Sequence, residues 1–422
     1  MSLSTQPYKG ARDFYPEDKR LQKYMFSTLR KVVESYGYQE YDAPILESFE
    51  LYAAKTGDEI VNEQLYSFED KGGRRVAIRP EMTPSVSRMV AARRQELSYP
   101  LRLYSIPNLW RYERPQRGRL REHWQLNVDL FGVDGVEGDA EIIQIADAIL
   151  KGFGASPSMY KIRVNSRRAM HELLEAKGYT GAIVTKVIAL FDRLGKPSFD
   201  KFLDENFASE DRGKLNDFIT NVPGTAILET TAGKKVTELV SILANVGITV
   251  EPDITLNRGF EYYDDIVFEV FDTDPENNRS MFGGGRYNGL VGLFGVDPLP
   301  TVGFGMGDVT LQGFLEVHNL IPRLVPETDA IAILIGNVYS QAQPALRQLR
   351  KSGVNIALDT SGRKLDSQIR SAVKSGTRYA LFIGEQELES NSFKLRDLEK
   401  GEEKQLSLDE IASTLSVPHR NN

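Results

Sequence analysis

Two runs of period-two alternation, PLRLYSIPNLWRY ending at Tyr112 and HWQLNVDLFG beginning at His123, face each other across a turn at Pro115 and Gly118. Alternation of this kind predicts strands with one apolar and one polar face, and two such strands this close together predict a hairpin. The loop then narrows what the hairpin can do. Arg111, Arg114, Arg117, Arg119 and Arg121 fall within eleven residues. A guanidinium fork meets phosphate oxygens two at a time, so one arginine on a strand with others in the loop suits a polyphosphate. Read alone, the same run would also serve as a solvated basic hairpin.

The order of the residues adds to this. Arg111-Tyr-Glu113, a basic loop and Arg121-Glu-His123 resemble motif 2 of the class II aminoacyl-tRNA synthetases, and the string ERPQRGRLREHWQ is similar to the form found in histidyl-tRNA synthetases. The resemblance implies that Arg111 lies at the α-phosphate of ATP and that Glu113 and Arg119 hold the nucleotide. It implies that Arg114 and Gln116 meet the acceptor end of the tRNA. His123 stands where the motif normally has an aromatic ring stacked on adenine; an imidazole can stack with less area.

Length and composition set the outer limits. A chain of 422 residues predicts two or three domains. The net charge of −7 means that a nucleic-acid partner is met by local basic patches rather than a global field. There is no cysteine, hence neither disulfide nor thiolate metal site, and the four histidines (His123, His171, His318, His419) form no HExxH pair. No stretch approaches a membrane span, and the first residues lack a signal-like apolar core. These features lead us to expect a cytoplasmic enzyme.

Along the chain, Lys9-Gly10-Ala-Arg12-Asp13-Phe14 leads to Pro16 and then to apolar residues at helical spacing from Leu21 to Tyr36, closed by Gly37. YQEYDAPI, with Pro44, reads as an edge strand. Helix followed by Pro-bearing strand resembles motif 1, which implies a homodimer interface. Residues 65–79 read as a hairpin turning at Gly72-Gly73, feeding Arg79-Pro80-Glu81-Met82-Thr83-Pro84. Here a carboxylate and a hydroxyl could orient an ammonium group, or the segment could simply cap the helix that follows. By resemblance to the histidyl family, Glu81, Met82 and Thr83 hold the amino end of L-histidine. Gln125 and Asp129 are four apart and so share a strand face. Asp129 would suit an imidazole N–H, although the family usually carries a longer glutamate there and a glycine at Asn127.

Residues 139–153 predict an amphipathic helix and MYKIRVNS a strand; from about Arg167 to Val250 the texture is helical, without catalytic motifs. Then RGFEYYDDIVFEV, from Arg258, matches a signature of histidyl enzymes. The resemblance places Arg258 at the α-phosphate and the histidine carboxylate, with Tyr262 beside it and Tyr263 reading the imidazole together with Asp129. FGGGRYNGL resembles the second signature, which walls the histidine pocket. TVGFGMGDVTL resembles motif 3, whose glycines Gly303 and Gly305 leave a flat face for adenine. That motif normally ends in an arginine for the terminal phosphates. Asp308-Val-Thr310 occupies the place here, with Arg286 or Arg119 as substitute cations.

After PRLVP the pattern switches to strands alternating with helices, a βαβαβ unit with a mostly parallel sheet. Within it Arg363, Lys364, Arg370, Lys374 and Arg378 fall within sixteen residues against one acid, Asp366. The unit is similar to the anticodon-binding domain of several class II enzymes. The expected fold is therefore α+β: a class II antiparallel sheet flanked by helices over residues 1–165 and 251–325, a helical insertion over 166–250, and a C-terminal α/β anticodon-binding domain over 327–422. The resemblance implies activation of L-histidine with ATP and Mg2+ and its transfer to tRNA(His), by a homodimer. Two other classes remain open: a non-catalytic histidine-sensing regulatory subunit on the same core, and a module that senses uncharged tRNA.

Overall fold

The computed structural model describes residues 3–54, 60–116, 118–191, 193–194, 198–256, 262–277 and 280–415. These divide into two compact units, one of residues up to 14 with 22–321, the other of 15–21 with residues from 322 on.

The first unit is built on a nine-stranded sheet. Its order is Gln39–Glu40, Leu101–Ser105, Glu122–Phe131, Thr301–Gly307, Ser280–Arg286, Ile266–Asp272, Tyr160–Ser166 and Val250–Pro252, with Asn108–Trp110 paired to the 122–131 strand beside this path. The end pairs are parallel and the rest antiparallel. The ten-residue strand from Glu122 explains why. Leu126, Val128 and Leu130 are buried on one face, while Gln125, Asn127 and Asp129 lie on the other. Helix Val136–Gly152 packs on these strands and buries Ile142, Ile145, Ile149 and Leu150 completely, so the apolar sheet face is covered and the polar face is left for chemistry.

The 38–45 stretch departs from expectation. Only Gln39–Glu40 joins the large sheet, and the next strand, Leu46–Ser48, belongs to a small three-stranded sheet with Arg75–Ile78 and Ser67–Glu69. Pro44, which has no N–H to donate, lies in the break. Ile45, Leu46 and Phe68 are left exposed there. Between Arg167 and Asn245 the described residues form five α-helices, the first capped by the Ser166 hydroxyl on the Ala169 N–H. They close on Leu173, Leu174, Val187, Leu190, Leu239 and Leu243.

In the second unit the strands run Ile356–Asp359, Ala330–Leu334, Tyr379–Ile383, Phe393–Asp397, Glu403–Leu406. The first three are parallel, as the alternation predicts; the last two add an antiparallel edge that the sequence pattern did not reveal. Ala332, Leu346, Leu349, Leu381 and Ile411 form its core.

Candidate active site

The polar face of the sheet is shaped by glycines on the neighbouring strand. Gly303 stands opposite Asp129 and Gly305 opposite Asn127. A Cβ at Gly303 would come within 2.5 Å of Asp129 Oδ1, and one at Gly305 within 2.5 Å of Gln125 Nε2. Glycine at both positions lets those two side chains lie flat across the sheet. Gln125 donates from Nε2 to Asn127 Oδ1 (2.7 Å), and Asn127 donates from Nδ2 to the Gln125 carbonyl (3.0 Å). Asp129 is 3% exposed and accepts a hydrogen bond from the Tyr287 hydroxyl. Burial pushes its carboxyl up to about 7, with the hydroxyls of Tyr287 and Tyr41 acting the other way.

Tyr287 is the residue that reasoning from sequence missed. It ends the glycine run of the Ser280–Arg286 strand, where the second signature was read only as a wall. Its hydroxyl donates to Asp129 Oδ1. The rings of Tyr262, Tyr263 and Tyr287 form one cluster, with centroids 4.9, 5.7 and 6.3 Å apart.

Across that cluster lies the other end of the slot. Helix Thr83–Ala92 has Met82 at its N-cap, without a side-chain hydrogen bond from that residue. Glu81, buried, accepts a hydrogen bond from the Tyr262 hydroxyl at 3.0 Å. Burial and the neighbouring Glu81 carboxylate keep that hydroxyl protonated, while Thr83 hydrogen-bonds to it. The buried Arg79 fixes the segment by donating to Asp42 Oδ1 (2.9 Å), the Ala43 carbonyl (2.6 Å) and the Asn108 carbonyl (3.0 Å). One residue on, the Pro80 carbonyl accepts from Arg111 Nε at 2.9 Å. The arginine that opens the hairpin is thus held against the turn that carries Glu81.

The hairpin's other arginines separate into kinds. Arg114 and Gln116 are exposed, and Gln116 bridges to Arg119 across the turn at Gly118. Arg119 is largely exposed and lies 3.8 Å from Glu113 Oε2. Arg121 is not at the tip at all: it donates to the Tyr8 hydroxyl (2.9 Å) and the Glu113 carbonyl (3.2 Å) beneath the Tyr112 ring, 3.9 Å from its centroid. His123, half-buried, is drawn down to about 3 by burial and by the charges of Arg111 and Arg12, so its imidazole is neutral. Arg117 and Arg258 lie outside the described residues.

The expectation that Arg286 could replace the motif 3 arginine is corrected by the structure. Arg286 is 2% exposed and committed to Asp139 and to the carbonyls of Val133 (2.8 Å) and Gly135 (2.9 Å). No free guanidinium edge remains for a ligand. Asp308 is paired instead with Arg12, whose Nη2 donates to Oδ2 at 2.6 Å. An acid where a cation is expected was the signal in the sequence that could have pointed to such a partner.

The site is thus a slot between two acidic ends, Glu81 and Asp129, joined to an arginine hairpin through the Pro80 carbonyl. The histidyl-tRNA synthetase family model matches residues 10–307, and an anticodon-binding domain model matches residues 330–417. The chain belongs to the histidyl-tRNA synthetase family. A histidine–tRNA ligase of Leptospira biflexa is 43% identical over 412 residues, covering 94% of each chain. That of Thermoplasma volcanium is 37% identical over 433 residues, covering 98% of this chain and 99% of the relative. The crystal structure of apo Staphylococcus aureus histidyl-tRNA synthetase superimposes with a TM-score of 0.74 at 25% identity, over 98% of this chain and 100% of that one. This member of the histidyl-tRNA synthetase family therefore has the class II α+β fold with a C-terminal α/β domain.

Proposed function

We propose that the chain is a histidine–tRNA ligase. It joins L-histidine to ATP as histidyl-adenylate with release of diphosphate, then transfers the histidyl group to tRNA(His) with release of AMP. The observation that supports this reading is the Arg111–Pro80 contact, which holds the first arginine of the hairpin against the turn that carries Glu81. Glu81, Met82, Thr83 and Tyr262 receive the ammonium end. Gln125, Asp129 and Tyr263, with Tyr287, surround the imidazole. The carboxylate of histidine attacks the α-phosphate in line, and the bond to the diphosphate breaks. Arg111 and Arg258 neutralise the charge that builds there, a chemistry of positioning and electrostatics rather than of proton transfer. Glu113 and Arg119 hold the nucleotide, its adenine against His123; the face over Gly303 and Gly305, expected from sequence to be open for adenine, is taken by the Asp129 and Gln125 side chains. Arg114 and Gln116, exposed on the loop, meet the acceptor end in the second step.

Magnesium enters with ATP, as part of the substrate. Among the described residues there is no group of three or more His, Asp or Glu that could hold a metal. Exposed Ile45, Leu46 and Phe68 on the small sheet support a homodimer interface. No helix among the described residues is long and apolar enough to cross a membrane, which accords with a cytoplasmic enzyme. Domain limits at 165/166, 250/251 and 326 follow the changes in texture along the chain.

Histidine-dependent exchange of pyrophosphate into ATP tests the reading. Arg258→Ala is expected to lose about a hundredfold or more, the usual consequence of removing one charged transition-state donor. Exchange at the wild-type rate in that variant would overturn its role. An unmodified chain inert toward histidine but retaining histidine binding would point to a regulatory subunit instead.

A further inference from the structure

We infer that Arg12 is an additional phosphate-binding residue. Delivered from the N-terminal segment and aimed by Asp308, it contacts the ATP triphosphate beyond the α-phosphate. The inference rests on the adenylate-forming reading above and assigns a group to a part of the substrate that Arg111 does not reach.

The segment that carries Arg12 is fixed to the downstream strand of the hairpin. The Gly10 carbonyl accepts the N–H groups of both Arg121 (2.9 Å) and Glu122 (3.1 Å). Tyr8 takes a hydrogen bond from the Arg121 guanidinium, and the Ala11 N–H closes a turn on the Tyr8 carbonyl at 2.8 Å. Phe14 meets Trp124 edge to face at 5.2 Å, and the Arg12 guanidinium stacks 4.9 Å above Phe14. Arg12 is therefore held in place from both sides.

Asp308 completes the arrangement. It begins helix Asp308–Val317 at the end of the glycine strand and is 3% exposed. One oxygen accepts the Trp124 N–H at 3.0 Å and the other accepts Arg12 Nη2 at 2.6 Å. Both oxygens are thereby engaged, so the carboxylate orients the guanidinium and offers nothing further to a ligand. Arg12 has more to give. A guanidinium has five N–H donors in a rigid fork, the hydrogen bond to Asp308 uses Nη2 alone, and the side chain is 23% exposed although its Nε is buried. The charge of Arg12 is felt at His123, the residue proposed to face adenine. On the far side, the turn at Gly118 approaches Thr310, whose Cγ2 would lie 3.7 Å from a Cβ on that glycine. Arg12 and the hairpin turn that carries Arg119 thus come to the same end of helix Asp308–Val317.

The test separates a phosphate contact from a structural strap. Affinities for AMP and for a non-hydrolysable ATP analogue are measured by calorimetry on the unmodified chain and on Arg12→Ala, Arg12→Lys and Asp308→Asn, with thermal melts as a check on folding. For Arg12→Ala the analogue is expected to bind at least tenfold more weakly, while AMP and KM for histidine stay within twofold. Asp308→Asn should show a smaller loss confined to the analogue. If Arg12→Ala fails to fold, Arg12→Lys, which keeps the charge without the fork, is expected to lose threefold or more for the analogue alone. Equal losses for AMP and analogue, or none for either, overturn the inference. Absence of histidine-dependent exchange in the unmodified chain would instead sink the underlying reading, so the two failures are distinguishable.

Discussion

Asp129 shows how a residue's neighbours can reverse its ordinary habits. Its carboxyl is held at about 7 in the folded chain by burial, against an unfolded value of 3.8. A group whose folded pKa is raised contributes stability that is complete below the unfolded value and is lost as pH rises through the folded one. Between pH 4 and 7 this group therefore weakens the fold progressively. Asp129→Asn should accept the Tyr287 hydrogen bond without titrating, so its stability relative to the unmodified chain should grow by about 2–4 kcal/mol over that window. Urea melts at several pH values check this, and a gap that stays constant with pH would contradict it. At Gly303 a methyl group would meet both Asp129 Oδ1 and the Val128 carbonyl at 2.5 Å. Gly303→Ala is expected to raise KM for histidine at least tenfold, measured by pyrophosphate exchange. Asp129 was legible in the sequence because strand alternation fixes its face. Its pairing with Tyr287 was not, because which of three clustered tyrosines reaches an acid depends on the register between strands far apart in the chain.

At the scale of elements, the hairpin, the long strand and the helices could be read from periodicity because burial acts on whole faces at once. Charge was harder to interpret. Arg121 sits within the basic run and yet lies under aromatic rings, and Arg286, next to the glycine cluster, is an internal brace. Nothing local in sequence distinguishes an arginine that waits for phosphate from one that ties strands together. Arg286→Met should leave Asp139 buried and uncompensated. Removing one partner of a buried pair commonly costs about 3–5 kcal/mol. Arg286→Met combined with Asp139→Leu should recover much of that loss, measured by chemical denaturation; a double variant no more stable than the single one would argue against the bracing role. The two antiparallel strands 393–397 and 403–406 were missed because their charged alternation, FKLRD and EKQL, carries only a half-apolar signal at a sheet edge.

For the whole molecule, the switch in pattern after PRLVP falls between the stretch matched by the synthetase family model and the stretch matched by the anticodon-binding domain model. Arg370 and Lys374, one helical turn apart and exposed, stay available in the second unit, whereas Arg378 is tied to Asp397 at 3.0 Å. A chain ending at residue 325 should retain histidine-dependent pyrophosphate exchange within about tenfold, yet lose about a hundredfold or more in tRNA charging, since docking of tRNA supplies the productive geometry of the second step. Parallel loss of both activities would show that the first unit does not work alone. The contact from Arg12 to Asp308 spans 296 positions, and this has a consequence for how the protein is made. During translation the guanidinium emerges early and waits, its carboxylate partner appearing only when about three-quarters of the chain has left the ribosome. Nascent chains stopped short of that point would carry a finished arginine hairpin with nothing to aim the N-terminal cation, and the competence to handle nucleotide would arrive abruptly, late in synthesis.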